Sequence, residues 1–138
     1  MTPGDEQKWI EIQTCSDKYI TITLELYHKE FGTDFNVIAQ RQLFLLNGRG
    51  DYIGTATAWF DYDFHGQPCG RLHWIAIKPD YQGLGLSKPL VSRTLQQLKA
   101  LGHNRAYLLT STARVPAINL YRKLGFEPFS ATEDDRRV

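Results

Sequence analysis

The stretch RLHWIAIKPDYQGLGLSKPLVSRTLQQLKALG, residues 71–102, restricts the fold more than any other. Its first seven residues are dense enough in apolar side chains to form a short strand inside a sheet. From Leu86 the apolar residues change period. Leu86, Leu90, Val91, Thr94, Leu95, Leu98 and Leu101 recur at steps of three and four, and Gly102 stops the run as a C′ glycine does. Pro89 falls in the first turn, where a missing N–H does least harm. Between strand and helix stand two glycines one residue apart, Gly83 and Gly85. Glycine at such a junction lets a backbone approach a phosphate without a Cβ in the way, and the helix N-terminus supplies unpaired N–H groups and a positive dipole end. An ordinary tight turn is the competing explanation. A Walker loop needs GxxxxGK[ST], a spacing absent here. A dinucleotide fingerprint needs a third glycine where Lys88 stands, and an acidic residue about 20 positions later that the chain lacks.

Around this unit the chain reads as a mixed α/β domain. Residues 8–31 read as helical, with LELYHKEF ending near Gly32. RQLFLL, NGRG and DYIGTATAWF form two apolar runs around a glycine-rich turn, a β-hairpin signature. DYDFHGQPCG (61–70) reads as a loop, and RAYLLT as a second buried strand. VPAINLYRKL reads as a helix, with Pro116 near its start and Gly125 just past its end. FEPF is one last short strand, and the polar tail from about 130 to 138 is expected to fray. With 138 residues and no repeat or linker, 1–138 is one domain.

Composition narrows the function classes. No apolar run reaches the ~20 residues of a membrane span, and MTPGDEQKWIEIQ is no secretory leader, so a cytoplasmic location is expected. Cys15 and Cys69 fit neither a disulfide framework nor a CxxC metal pair, and no metal is expected. Between Tyr81 and Phe126 there is no Asp or Glu, whereas Lys88, Arg93, Lys99, Arg105, Arg114, Arg122 and Lys123 all lie there. That basic half suits an anionic partner. Nucleic acid is not the expected one, because basic and stacking residues do not interleave.

Ile77-Lys78-Pro79 leads into Gln82-Gly83-Leu84-Gly85-Leu86-Ser87, and NLYRKLGFEPF follows later in the chain. Together these motifs resemble the GNAT family, the Gcn5-related N-acetyltransferases, over roughly Gln40 to Phe129. The resemblance implies the acyl-CoA N-acyltransferase fold and acetyl-CoA as cosubstrate. Its pyrophosphate would rest on the backbone N–H groups of Gln82, Gly83, Leu84, Gly85, Leu86, Ser87 and Lys88. The pantetheine arm would pair with backbone groups of Ile75 and Ile77, on a strand that splays from RAYLLT. Three departures stand out. Ser87 replaces the usual glycine or alanine, and Arg114 replaces an asparagine that commonly contacts the cofactor. The family's first strand also appears missing or trimmed, so a second chain, as in a homodimer, could complete the sheet.

For catalysis the resemblance points to Tyr121, whose hydroxyl, with a pKa of ~10, would protonate the leaving thiolate. His73 titrates in the right range for a general base, although strand alternation leaves its direction open. Asp61, Asp63 and His65, in the aromatic-rich segment after Trp59, could wall an acceptor site. The expected reaction moves acetyl from acetyl-CoA to a primary amine of a small molecule or peptide. The alternative is a non-catalytic acyl-CoA sensor of the same fold.

Overall fold

The computed structural model describes residues 5–16, 21–64, 66–109, 127–128 and 135–137. Three helices come first: α1 (Asp5–Ser16), α2 (Leu24–Phe31) and α3 (Phe35–Arg41). Strands β1 (Gln42–Leu46), β2 (Tyr52–Phe64) and β3 (Gln67–Ile77) follow, then a single 3₁₀ turn at Pro79–Tyr81 and α4 (Ser87–Ala100). β4 (Ala106–Leu109), β5 (Glu127–Pro128) and β6 (Asp135–Arg137) complete the sheet. Strand order is β1-β2-β3-β4-β6-β5, with every neighbouring pair antiparallel except β3 and β4. A parallel pair needs a crossover, and α4 provides it.

The mixed α/β architecture agrees with the sequence reading, and so do the first hairpin and the helix after the glycine loop. Gly102, at φ +93°, closes α4 with the paired bonds of a Schellman motif: Gly102 N–H to Lys99 C=O and His103 N–H to Leu98 C=O. Within the stretch expected to be helical, residues 8–16 belong to α1 and 24–31 to α2. Thr23 caps α2 by accepting the Leu26 N–H, and Gly32 ends it at φ +76°.

Two expectations are corrected and one element is added. The segment 61–70 is not a loop: β2 runs on to Phe64 and β3 begins at Gln67, so the two form one long hairpin. Asp61 pairs with Cys69 there, and its carboxylate accepts the Tyr107 hydroxyl at 2.8 Å. α3 was not foreseen, although Asp34 caps it by accepting the N–H groups of Asn36 and Val37. In the tail expected to fray, residues 135–137 form β6, between β4 and β5. The helix expected at VPAINLYRKL lies outside the described residues. Among those described, no strand precedes α1, β1 forms an outer edge of the sheet, and no helix is long and apolar enough to cross a membrane.

The two faces of the sheet are covered differently. On one, Leu90, Val91 and Leu98 of α4 pack on Ala56, Ala58, Leu72, Ile77, Ala106 and Leu108. The other is aromatic. Trp9, fully buried, meets Tyr27, Phe31 and Trp74 edge-on with ring centroids 5.1–5.4 Å apart, and Phe31 meets Trp59 and His73 in the same way. Such pairs add roughly 0.5–1.5 kcal/mol each beyond the area they bury. Beneath these rings a buried chain of hydrogen bonds runs from the Tyr27 hydroxyl to Gln42 and from the Gln42 amide to Thr57.

His73 belongs to this aromatic layer. Burial, and secondarily the charge of Arg71, pull its pKa down from 6.5 to about 3. Its Nε2 lies 3.8 Å from Glu30 Oε2, too far for a hydrogen bond. The unfolded chain therefore takes up a proton that the folded chain refuses, so this contribution to stability is intact above pH 6.5 and is lost as pH falls toward 3. The loss amounts to at most about 1.4 kcal/mol per pH unit. Melting temperatures of the wild type and of His73→Phe, measured from about pH 7 down to about pH 4, should diverge, the wild type falling more steeply. Parallel profiles would show that the imidazole is not the source.

Candidate active site

β3 and β4 are registered only at Gly70–Ala106 and Arg71–Tyr107, after which they part. The parting coincides with a bulge. Between Thr55 and Thr57 on β2, the partners on β3 jump from Ala76 to His73, so β3 carries one extra residue. Trp74 takes up the distortion at φ +54°, left-handed backbone that costs a non-glycine residue roughly 1–2 kcal/mol. Three contacts hold it there. Its ring packs against Trp9, its indole N–H donates to Glu30 Oε1 at 3.3 Å, and its carbonyl accepts from the Gln13 amide at 2.9 Å.

Past the bulge, β3 is paired on one side only among the described residues. Lys78 N–H donates to Ile53 C=O at 2.8 Å, which makes Ile77–Gly54 a non-hydrogen-bonded pair. The N–H and C=O of Ile77 therefore face away from β2, into the gap, and those of Ile75 lie in the same phase. The Ile77 carbonyl is already engaged, by the Gln82 side-chain amide at 2.8 Å and by Ser16 Oγ at 3.1 Å. Among the described residues, strand alternation leaves the N–H groups of Ile75 and Ile77 and the Ile75 carbonyl to line the gap.

The gap leads to the glycine loop. Gly83 and Gly85 both have φ near +77° (+78° and +76°), and a Cβ built on either would meet nothing within 4 Å. Backbone conformation, not crowding by the protein, is what selects glycine, and the space above the loop is open. Gln82 faces inward: its own N–H donates to Pro79 C=O, and its side chain ties the loop to Ile77. From Gly83 to Lys88 the N–H groups have no acceptor among the described residues, and the first helical bond is Leu90 to Leu86. Leu86 supplies no side-chain cap, and no acidic residue stands in the first turn. The result is a row of free donors at a positive helix end. The loop is braced from beneath by Tyr81, whose hydroxyl accepts from the Asn47 amide at 3.0 Å. Asn47 in turn accepts the N–H groups of Arg49 and Asp51 and so shapes the β1–β2 turn.

The structure thus brings Ile75, Ile77 and the segment from Gly83 to Lys88 together at one end of β3. Gln82 joins them as a brace whose own N–H is not offered outward. His73 points into the aromatic layer, and Asp61 is tied to Tyr107. Arg114, Tyr121 and His65 lie outside the described residues. Sequence reasoning missed Glu30 and the bulge at Trp74. Glu30 had left one signal, a carboxylate in the last turn of a short helix, where the dipole disfavours it. Among the described residues no cluster of His, Cys, Asp or Glu could hold a metal ion.

Comparisons with known proteins bear on the fold and the family. A mycothiol acetyltransferase of Saccharomonospora viridis is 41% identical over 64 residues, covering 46% of this chain and 21% of that protein. A Thermobifida fusca mycothiol acetyltransferase is 39% identical over 62 residues, covering 45% and 19%. The chain therefore matches only about a fifth of the length of these relatives. Among solved structures, a phosphinothricin acetyltransferase of Sinorhizobium meliloti in complex with AcCoA superposes with a TM-score of 0.77 at 22% identity, over 100% of this chain and 84% of that one. The ribosomal-protein-S18-alanine N-acetyltransferase of Escherichia coli gives 0.73 at 20%, over 99% and 86%. At these identities the likeness is one of fold. The model of the acetyltransferase (GNAT) family matches residues 8–126, and the chain belongs to that family.

Proposed function

We propose that the chain is an N-acetyltransferase that takes acetyl from acetyl-CoA and passes it to a primary amine within a ternary complex. The observation that carries this reading is the parting of β3 from β4 beside a loop whose N–H groups, Gly83 to Lys88, have no acceptor among the described residues. Six backbone donors at a helix N-terminus suit a pyrophosphate, and the basic residues from Lys88 onward suit its charge. A pantetheine amide chain would complete the open side of β3 through Ile75 and Ile77. Acetyl-CoA supplies an activated acyl group, and the remaining work falls to the chain. The Ile77 N–H, or a neighbouring one in the gap, would meet the oxyanion as the amine attacks. Tyr121 would donate its proton to the departing thiolate. The lowered pKa of the buried His73 argues against its expected role as the general base.

That leaves the base unassigned, which favours keeping one second reading: an acyl-CoA-binding domain without turnover. Release of free thiol from acetyl-CoA in the presence of a panel of primary amines separates the two, since only the transferase produces it.

Gly85→Glu puts a carboxylate at the proposed pyrophosphate cradle and a side chain on left-handed backbone, so calorimetric affinity for acetyl-CoA should fall roughly tenfold or more. Gly85→Ala carries the backbone strain without the charge and should fall less. Equal losses would assign the effect to strain, and no loss in either variant would sink the cradle. Tyr121→Phe should lower kcat by about 10²-fold or more while leaving acetyl-CoA affinity near the wild-type value. Unchanged turnover would remove Tyr121 from the mechanism.

A further inference from the structure

Glu30 is the half-buried carboxylate nearest the bulge. Its partners are neutral: the Trp74 indole N–H at 3.3 Å from one oxygen, and the His73 imidazole at 3.8 Å from the other. Among the described residues no lysine or arginine pairs with it, whereas Glu11 has Lys78 at 3.0 Å. Its side chain keeps 32% of its surface exposed. Its position also runs against the helix that carries it, since the last turn of α2 is the negative end of that dipole. A carboxylate placed against its own helix, partly desolvated and given only neutral neighbours, is incomplete electrostatically. The Trp74 indole turns its N–H edge to Glu30, and His73 beside it meets Phe31 edge-on. A carboxylate beside the ring edges of Trp74 and His73 suits an organic ammonium, which gains charge pairing from Glu30 and apolar contact from the partly buried Trp74. Both residues that touch Glu30 lie on β3 past Arg71, where the strand has left β4 and turns through its bulge.

We propose that Glu30, with Trp74 as its positioning residue, is the binding site for the ammonium group of the acceptor, and that the acceptor carries this group on an apolar or aromatic carbon frame. The assignment of the ligand as acceptor rests on the transferase reading. Binding of an ammonium at Glu30 does not, and the test keeps the two apart. Calorimetry on the full chain would use 2-phenylethylammonium and its uncharged analogue 2-phenylethanol, each with and without saturating CoA, and acetyl-CoA separately. The wild type should bind the ammonium at least about tenfold more tightly than the alcohol. Glu30→Gln, which keeps shape and removes charge, should erase that preference with melting temperature and acetyl-CoA affinity unchanged. Trp74→Phe, which keeps an aromatic ring and removes the N–H, should lose part of it. The inference is overturned if the wild type fails to prefer the ammonium, or if Glu30→Gln retains the preference. Loss of acetyl-CoA binding in the wild type would instead count against the transferase reading while the ammonium arm still decides the role of Glu30.

Discussion

The separation of β3 from β4 is the constraint on which the rest of this structure depends. Two parallel strands that stayed paired along their length would satisfy every backbone group and leave nothing for a ligand. Here the pairing ends at Arg71, and the extra residue at Trp74 bends β3 away from its parallel neighbour. The bend is not free, because a tryptophan sits in left-handed backbone. The aromatic layer holds it there. Trp74 is at once the strained residue and a packed member of the cluster around Trp9, so the energy of that cluster offsets the strain. Packing on one face of the sheet thereby maintains an opening between two of its inner strands.

α1 works as a clamp on the same strand. Gln13 takes the carbonyl of Trp74, Ser16 takes that of Ile77, and Glu11 pairs with Lys78 just beyond. The Glu11 carboxyl is held below its ordinary range chiefly by its hydrogen bond to Lys78, and Lys78 is raised chiefly by the same bond. This pair is exposed and contributes little to stability; its value is positional. The two side-chain bonds to main-chain carbonyls matter more, because they satisfy acceptors that the missing neighbour strand would otherwise have satisfied. What is left unsatisfied in the gap is then a small, defined set of groups on Ile75 and Ile77.

The legible parts of the sequence were those in which local pattern and tertiary role coincide. The heptad-like leucines of α4, the glycines at left-handed φ and the short apolar strand each announce their structure by spacing alone. The 61–70 segment did not, because Asp61, Asp63, His65 and Gly66 read as loop chemistry. Asp61 in fact satisfies its carboxylate by accepting from Tyr107, across the intervening strand, a contact no local window contains. β6 was hidden for a related reason: a charged tail joins the sheet only because β4 and β5 leave a place between them. For His73 the residue type suggested titration near neutrality, and burial reversed it. The bulge left no trace in the sequence, since neither glycine nor proline marks Trp74.

Charge is distributed along the chain in a way that the two faces now explain. Up to Asp80 there are eleven acidic residues against seven basic ones, and between Tyr81 and Phe126 only basic ones. The acidic part builds α1, α2 and the aromatic layer; the basic part begins at the glycine loop and builds α4. Under the proposed reading a ligand with phosphates would be drawn to the glycine loop and a cation to the aromatic layer, so the two would not compete for one surface. A reaction between an anionic donor and an ammonium-bearing acceptor needs both to reach one point from different directions. Among the described residues α4 covers one face of the sheet and the aromatic layer the other, so under the proposed transfer no residue would have to serve both ligands.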